Sequence, residues 1–314
     1  MTSSNKISVK RDFYARAKLL LTGEYAVLYG AKAIGLPLKT GQKMMVRNAR
    51  GSDLIWEALD ENGEVWFESQ LSLYDFSAVK TSDPEISKKL QKLLKSAARL
   101  NSEFLSTWSG FKVETQLEFP LNWGLGSSST LIYLVAEWAD VNPFHLHFSV
   151  SEGSGYDIAC ASADSPIMYQ LLEDQVHYNE FDLNINFSKN LFFVYLNNKQ
   201  SSEDEVKANG KKFAKKTSVV NRITEISKQI STNKSFVKFT DLMKEHEELI
   251  GGVLDTKPVQ EIKFKNFNGT IKSLGAWGGD FILAASNEGE DYVSKYFKKN
   301  GYNIILPFEE KVLM

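Results

Sequence analysis

One stretch of the chain combines glycines, hydroxyls and a change of periodicity, a pattern suited to binding phosphate. Residues Phe111–Phe119 place Val113, Thr115, Leu117 and Phe119 at a period of two, which predicts a half-buried strand ended by Pro120. Helical spacing begins near Ser127. Gly124 and Gly126 lie between the strand and the helix. Because glycine permits close backbone approach and a helix start offers free N–H groups, we expect a phosphate cradle here.

The residues after Gly126 carry hydroxyls that could donate to a phosphate or bind its metal ion. These residues are Ser127, Ser128, Ser129 and Thr130. The segment lacks the Gly-Lys-Ser/Thr ending of a Walker A loop. A glycine turn followed by a serine helix cap would give the same pattern without any ligand. The pattern alone therefore leaves both interpretations open.

Three charged residues lie where strands or glycine turns give way to other structure. Lys18 and Glu24 bracket the end of a buried strand predicted at Leu19–Leu21. Asp157 follows a glycine-rich turn, at or near the start of a helix of small residues. A solvated lysine at a strand edge and an acid stabilised by the helix dipole are the structural alternatives. Catalytic residues often occupy such junctions, so we treat all three as candidate site residues.

Composition limits the class of protein. The chain has 314 residues, enough for two domains, and 43% of them are apolar, as in ordinary globular proteins. A net charge of -2 argues against a nucleic-acid binder. Cys160 is the single cysteine, so no internal disulfide can form, and we expect a reducing, cytoplasmic environment. No signal peptide is recognised at the N-terminus, and no apolar run approaches the length of a membrane span.

The elements that must position these residues can be outlined from periodicity and turn signals. Asn62-Gly63 predicts the turn of a hairpin within Leu54–Phe67, and Asp83-Pro84 predicts the start of a helix. Further strands are predicted at Ile7–Val9, Ile167–Leu172, Val176–Phe181 and Leu191–Leu196. Helices are predicted within Ser201–Ile230, with Gly210 as a weak point, and from Phe239 to Ile250, where His246 is expected to be a packing residue.

His145 and His147 do not share a helix face and lack partners at ligand spacing, so no zinc site is expected.

Three glycine-rich segments, taken in order, resemble those of the GHMP kinases, a family of small-molecule kinases. We name them the first segment (Lys18–Gly30, KLLLTGEYAVLYG), the second segment (Pro120–Thr130, PLNWGLGSSST) and the third segment (Lys272–Ala284, KSLGAWGGDFILA). The second is the most specific, since it resembles the family's ATP-phosphate loop. Residues Gly153–Ala159 (GSGYDIA) resemble the part that carries the catalytic aspartate in mevalonate-type members.

The resemblance implies a fold and a reaction. The fold would be α+β, with an N-terminal domain similar to ribosomal protein S5 and a ferredoxin-like C-terminal domain. We place these domains at residues 1–188 and 189–314, with the boundary in the polar stretch near Phe187–Lys189. The reaction would be transfer of the γ-phosphoryl group of Mg-ATP to an oxygen of a small molecule.

The resemblance also implies roles for individual residues. Asp157 would orient the acceptor oxygen and take its proton, and Lys18 would neutralise charge beside it. The Ser128 hydroxyl would bind Mg²⁺. The ATP phosphates would be bound by Gly124, Leu125, Gly126, Ser127, Ser128 and Ser129. The acceptor would be bound by Glu24, Ser154, Gly155, Gly278 and Gly279, with Glu24 alternatively holding its loop.

Departures from the family pattern bear on the acceptor. Arg16-Ala17 replaces the usual Pro-Gly before the lysine, and Leu146 occupies the position of a metal-binding glutamate in mevalonate kinases, so no second metal carboxylate is identified. The Gly-Gly-Asp280 ending of the third segment is more similar to phosphomevalonate kinases. We therefore expect 5-phosphomevalonate as acceptor, followed by mevalonate and then by another hydroxyl compound such as a sugar or homoserine.

Two other functions remain open on the same scaffold. One is a non-catalytic nucleotide- or metabolite-binding protein, and the other is an ATP-dependent decarboxylase of the diphosphomevalonate type. The expected cofactors and partners are ATP, Mg²⁺ and a small anionic acceptor, with no nucleic acid and no membrane. A homodimer is left open.

Overall fold

The structure is a computed structural model that describes residues 10–107, 109–197, 205, 208–275, 277 and 279–314. The strand predicted at Ile7–Val9 and the start of the helix predicted from Ser201 lie outside the described residues. The chain divides into two compact units. Unit 1 comprises the described residues of 1–15, 40–121 and 127–151, and unit 2 comprises those of 16–39, 122–126 and 152–314. The domain division at residue 188 stays a prediction.

Unit 1 contains a sheet with helices beside it. Its strands are β3 (Asp53–Leu59), β4 (Val65–Ser72), β5 (Ala78–Thr81), β6 (Phe111–Leu117) and the second part of β2 (Ala33–Asn48). Its helices are α1 (Pro84–Leu100), α2 (Ser127–Ala139) and α3 (Pro143–Val150). The first residues of β1 (Lys10–Thr22) also belong to it.

The strand order in unit 1 is β5-β4-β3-β6-β2. β3 is parallel to β6, and the other neighbours are antiparallel. The alternation in β3 places Leu54, Trp56 and Ala58 in the core. Asp83 caps α1 by accepting from the amides of Glu85 and Ile86. These observations confirm the predicted hairpin and the predicted start of α1.

Unit 2 contains the remaining elements. Its strands are the later part of β1, the first part of β2, β7 (Ile167–Leu172), β8 (Gln175–Glu180), β9 (Leu191–Tyr195), β10 (Thr270–Leu274), β11 (Phe281–Ala285) and β12 (Ile305–Pro307). Its helices are α4 (Tyr156–Ser162), α5 (Thr217–Thr232), α6 (Phe236–Leu254), α7 (Val259–Lys263), α8 (Gly289–Lys299) and α9 (Phe308–Lys311). No helix among the described residues is long and apolar enough to cross a membrane.

The smaller sheet of unit 2 is antiparallel, in the order β10-β11-β9-β12. Every residue of β9, β10 and β11 is buried, including the polar residues Thr270, Lys272 and Ser273 of β10. Also in unit 2, β7 pairs with the first part of β2 and with β8. An aromatic core that includes Phe192, Phe264 and Phe297 packs against the antiparallel sheet.

Most predicted elements are confirmed, and the differences have local causes. β1 begins at Lys10, well before the predicted Leu19, because charged residues on its exposed face hid its alternation. In the segment predicted as helical within Ser201–Ile230, Glu205 and residues 208–209 are helical, a short 3₁₀ turn occupies Gly210–Phe213, and α5 follows from Thr217, so the predicted weak point at Gly210 is confirmed. β10 was not predicted, because its sequence TIKSL shows neither a clean alternation nor an apolar run.

Candidate active site

Lys18 is a buried cation at the centre of the candidate site. Its side chain comes from the inner part of β1 and is only 9% exposed. The ammonium lies 3.9 Å from the Asp157 carboxylate, donates to the Gly124 carbonyl at 3.5 Å, and lies 5.3 Å from the centroid of the Tyr156 ring. A buried charge is stable only with such partners. The structure therefore brings together Lys18, Asp157 and Gly124, and excludes the alternative of a solvated edge lysine.

Asp157 lies in the first turn of α4, which begins after Gly155 in a left-handed conformation with φ of 86°. The preceding Ser154 is buried, and its carbonyl accepts from the Tyr169 hydroxyl. This bond fixes the backbone before the turn. Ser154 and Gly155 therefore lie beside the catalytic candidate, on the segment that orients it.

Because Gly124 and Gly126 lack a Cβ, the side chains of Asp280 and Lys18 pack closely against the second segment. Gly124 has φ of 65°, and a Cβ there would lie 1.8 Å from Asp280 Oδ2. Gly126 has φ of 97°, and a Cβ there would lie 3.0 Å from Lys18 Cε. The amide of Lys18 also donates to the Leu125 carbonyl at 3.1 Å. An acid and a base are thus packed against the same short loop.

The serines of the second segment begin α2 directly after Gly126 in sequence. Ser127 and Ser129 are partly exposed and Ser128 is exposed, within unit 1. The first turn of α2 has no acidic residue to neutralise its positive end. Thr130 is different, since its hydroxyl donates to Gln42 Oε1 at 2.6 Å in the core of unit 1. Thr130 therefore has a structural role, and the three serines stay candidates for phosphate binding.

The third segment lies against the second within unit 2. Besides the contact of Asp280 with Gly124, the Trp123 ring packs on Phe281 at 5.6 Å and on Tyr195 at 6.0 Å. The Tyr195 hydroxyl donates to the Asn122 carbonyl at 2.9 Å. The Gly279 residue lies on this segment, immediately before Asp280. The Gly278 residue lies outside the described residues.

Glu24 is placed differently from the other predicted site residues. It is 1% exposed, its carboxylate accepts from the Lys272 ammonium, and its other oxygen lies 3.2 Å from His246 Nε2. Glu247 follows on the same helix and is also buried. We call Glu24, His246, Glu247 and Lys272 the buried charged cluster. His246 is a packing residue as predicted, whereas Lys272 and Glu247 were missed as members of a site.

Burial dominates the protonation of this cluster. It raises the pKa of Glu24, against the opposing effect of the Lys272 ammonium. Burial raises the pKa of Glu247 to about 7, again opposed by Lys272. Burial also holds the pKa of His246 well below its usual range, so its imidazole is neutral. The cluster therefore contains one ammonium and two carboxyl groups whose pKa values burial raises.

Solved structures of small-molecule kinases match nearly the whole chain. The mevalonate kinase of Methanococcus jannaschii is 17% identical, with 99% of each chain covered and a TM-score of 0.67. The phosphomevalonate kinase of Streptococcus pneumoniae, in complex with phosphomevalonate and AMPPNP, is 16% identical, with 95% of this chain and 98% of that chain covered and a TM-score of 0.65. The galactokinase of Lactococcus lactis, complexed with galactose, is 14% identical, with 97% of this chain and 95% of that chain covered and a TM-score of 0.64.

These matches confirm the predicted α+β fold of the GHMP kinases over the full chain. At such identities the similarity concerns the fold, and the chemistry must be argued from the residues. No family model matches the sequence, and no curated protein sequence matches it significantly.

Proposed function

We propose that this protein is a GHMP-type kinase that transfers the γ-phosphoryl group of Mg-ATP to an oxygen of a small anionic acceptor. The observation that carries the proposal is the placement of Lys18, whose ammonium contacts both the Asp157 carboxylate and the carbonyl of Gly124. Phosphoryl transfer depends on positioning and on charge neutralisation more than on covalent chemistry. A cation that joins a carboxylate to a glycine loop meets both needs.

Asp157 and Lys18 have complementary roles in this proposal. Asp157 orients the acceptor oxygen and takes its proton, a contribution of roughly 10²–10⁴-fold in rate. Lys18 lies 3.9 Å from that carboxylate and offsets the negative charge that gathers when ATP and an anionic acceptor are both bound. The ring of Tyr156, with its centroid 5.3 Å from the ammonium, helps to hold it in place.

The ATP phosphates are assigned to the backbone of Gly124, Leu125 and Gly126 and to the adjoining start of α2 at Ser127, Ser128 and Ser129. Support comes from the positive end of α2, whose first turn has no acidic residue, and from the left-handed glycines before it. Magnesium, which neutralises phosphate charge when bound, is assigned to the Ser128 hydroxyl. Among the described residues no group of three or more His, Cys, Asp or Glu could hold a metal ion. The Ser128 hydroxyl fits Mg²⁺, which takes oxygen ligands and usually keeps several waters beside the phosphates of its substrate.

The acceptor is assigned to 5-phosphomevalonate, with mevalonate as the alternative. The Gly-Gly-Asp280 ending of the third segment supports this order, and the fold is that of kinases for both compounds. Ser154, Gly155 and Gly279 remain the proposed acceptor contacts, together with Gly278. The burial of Glu24 favours its alternative role, which is to hold the loop.

The decisive test is a coupled assay of ADP release with each acceptor, with the product identified by mass spectrometry. We expect turnover with one of the two compounds. Asp157→Asn should lower kcat by roughly 10²–10⁴-fold while nucleotide binding persists. Asp164→Asn is the matched control, since Asp164 forms a surface ion pair with Arg16 at 2.6 Å in the same unit.

Other outcomes of the same assay would identify the alternatives. Carbon dioxide released with diphosphomevalonate would identify the decarboxylase. ADP release with a sugar or homoserine alone would keep the kinase and overturn the acceptor. Nucleotide binding without turnover on any acceptor would identify a non-catalytic binding protein.

A further inference from the structure

The buried charged cluster joins three elements of unit 2. Glu24 comes from the turn after β1, His246 and Glu247 from α6, and Lys272 from β10. The side chains of Glu24, His246 and Lys272 are 1%, 0% and 0% exposed. Burying four titratable groups costs free energy unless their bonds fix a structure that the fold requires. The question is which part of the site those bonds hold.

The hydrogen bonds of the cluster run from the turn to both other elements. The Lys272 ammonium donates to the Glu24 carboxylate and, at 2.8 Å, to the Ser273 carbonyl. The amide of Gly23 donates to His246 Nε2 at 3.1 Å. On the other side, the amide and hydroxyl of Ser273 donate to Glu247 at 3.0 and 3.2 Å. The turn, α6 and β10 are therefore linked through one charged network.

Tyr25, the residue after Glu24, makes a second link between the turn and the third segment. The Tyr25 hydroxyl accepts from the amide of Trp277 at 3.0 Å and donates to Glu205 at 3.1 Å. Tyr25 has φ of 56° and ψ of -40°, a positive-φ conformation that is unfavourable for a bulky residue. Such a conformation persists only where surrounding contacts impose it. Its ring is held by stacking on Phe213 at 5.9 Å.

Together these contacts make the first segment the connector of the other two. Lys18, near its start, reaches the second segment at Gly124 and the catalytic candidate Asp157. Glu24 and Tyr25, further along, reach the third segment at Lys272 and Trp277. The third segment in turn places Asp280 against Gly124. The path from the turn to the second segment is thus continuous within unit 2.

We infer that Glu24 and Lys272 are positioning residues of the phosphoryl-transfer site, which hold the third segment against the second and do not bind the acceptor. The inference rests on the proposed function for its kinetic consequence, and on contacts alone for its structural one. Since one oxygen of the Glu24 carboxylate accepts from Lys272 and the side chain is closed to solvent, an acceptor could reach that oxygen only by displacing Lys272.

Kinetics of three variants separate positioning from acceptor binding. Glu24→Gln and Lys272→Met should each lower kcat by roughly 10–100-fold while KM for the acceptor and for ATP stays within about threefold. Because the pair acts as a unit, the kcat loss of the double variant Glu24→Gln/Lys272→Met should equal that of one single variant instead of their product. The double variant also guards against misfolding, because it removes both members of the pair and leaves neither charge buried without the other.

The matched control is the ion pair of Lys228 and Glu225, which is exposed on α5 of the same unit at 2.7 Å. Lys228→Met and Glu225→Gln should leave kcat and KM unchanged. A raised KM for the acceptor with an unchanged kcat in Glu24→Gln would overturn the inference and assign Glu24 to acceptor binding.

Hydrogen–deuterium exchange of the Trp277 amide tests the link without any turnover. Exchange should be faster in Tyr25→Phe, which removes the acceptor of that amide, and in both single variants of the buried pair. Unchanged exchange in Glu24→Gln and Lys272→Met would overturn the positioning role even if catalysis were established. If the wild-type protein transfers no phosphoryl group, the proposed function fails, while the exchange result still decides the structural link.

Discussion

At the scale of single residues, Gly124 and Gly126 of the second segment leave room for charged side chains, which the sequence did not reveal. We expected them to let the backbone approach a ligand. In the structure their Cα positions face Asp280 and the stem of Lys18. A motif of glycines and serines can predict a phosphate loop. Which charged residues contact that loop depends on segments that are far away in sequence.

Glu247 should make the stability of the protein depend on pH. Its pKa is raised from the usual 4.5 to about 7 in the folded state, chiefly by burial. The folded state therefore holds the proton more tightly, so this stabilisation is complete below pH 4.5 and is lost as the pH rises through about 7. At 1.36 kcal/mol per pKa unit the loss is about 3 kcal/mol.

Glu247→Gln is the variant that measures this effect by denaturant unfolding between pH 4.5 and 8. The wild-type protein should lose more stability over that range than the variant does. Glu248→Gln is the control, because Glu248 is the next residue of α6 and is exposed. Burial also raises the pKa of Glu24, but Glu24 is present in all three proteins. Parallel pH profiles for wild type and Glu247→Gln would show that Glu247 is not the titrating group.

At the scale of elements, α6 shows how one helix serves both packing and the site. Its buried stripe includes Phe239, Leu242 and Met243, as its periodicity predicted, and the same stripe carries His246 and Glu247 into the charged cluster. The periodicity identified the buried face. It could not identify the partners, because a polar residue on an apolar stripe is defined by what another element brings to it.

Adjacent glycines in the last turns of α6 provide a matched pair of substitutions. A Cβ at Gly251 would lie 2.6 Å from the Thr256 carbonyl and 3.0 Å from the Trp277 ring, whereas nothing lies within 4 Å at Gly252. Gly252→Ala should raise the free energy of unfolding by about 0.5–1 kcal/mol, since alanine favours the helix. Gly251→Ala should lower it by about 1–3 kcal/mol through overpacking.

Thermal or denaturant unfolding of the two variants checks this difference directly. The opposite order of stabilities would mean that the end of α6 does not pack on Trp277. Hydrogen exchange of the Trp277 amide should also rise in Gly251→Ala only, since the ring must move to admit the methyl group.

At the scale of the whole molecule, the sequence predicted local structure well and long-range contacts poorly. Local signals such as Asn62-Gly63 and Asp83-Pro84 located the hairpin and α1 correctly. The pair of Glu24 and Lys272 spans 248 residues, and no local pattern encodes it. The fold itself was predicted through resemblance of the glycine segments in order, which is information about the family rather than about any one interaction.

Nucleotide binding should raise the melting temperature of the whole molecule by mass action. A ligand that binds only the folded state stabilises it by about 2.7 kcal/mol at one hundred times its Kd, and more as its concentration rises. We therefore expect the melting temperature to increase with the logarithm of the concentration of Mg-AMPPNP, measured by scanning fluorimetry. Asp157→Asn should keep this increase, because Asp157 is assigned to the acceptor side.

Gly124→Ala should reduce that increase in melting temperature for two reasons. The new Cβ would displace Asp280, and the left-handed backbone at this position is unfavourable for alanine. A tenfold weaker Kd corresponds to about 1.4 kcal/mol less stabilisation at the same ligand concentration. Gly252→Ala is the matched control, since it changes a glycine of the same unit that has no neighbour within 4 Å. An equal increase in Gly124→Ala and Gly252→Ala would place the nucleotide away from the second segment, and the assignment of its phosphates to Gly124, Leu125 and Gly126 would then fail.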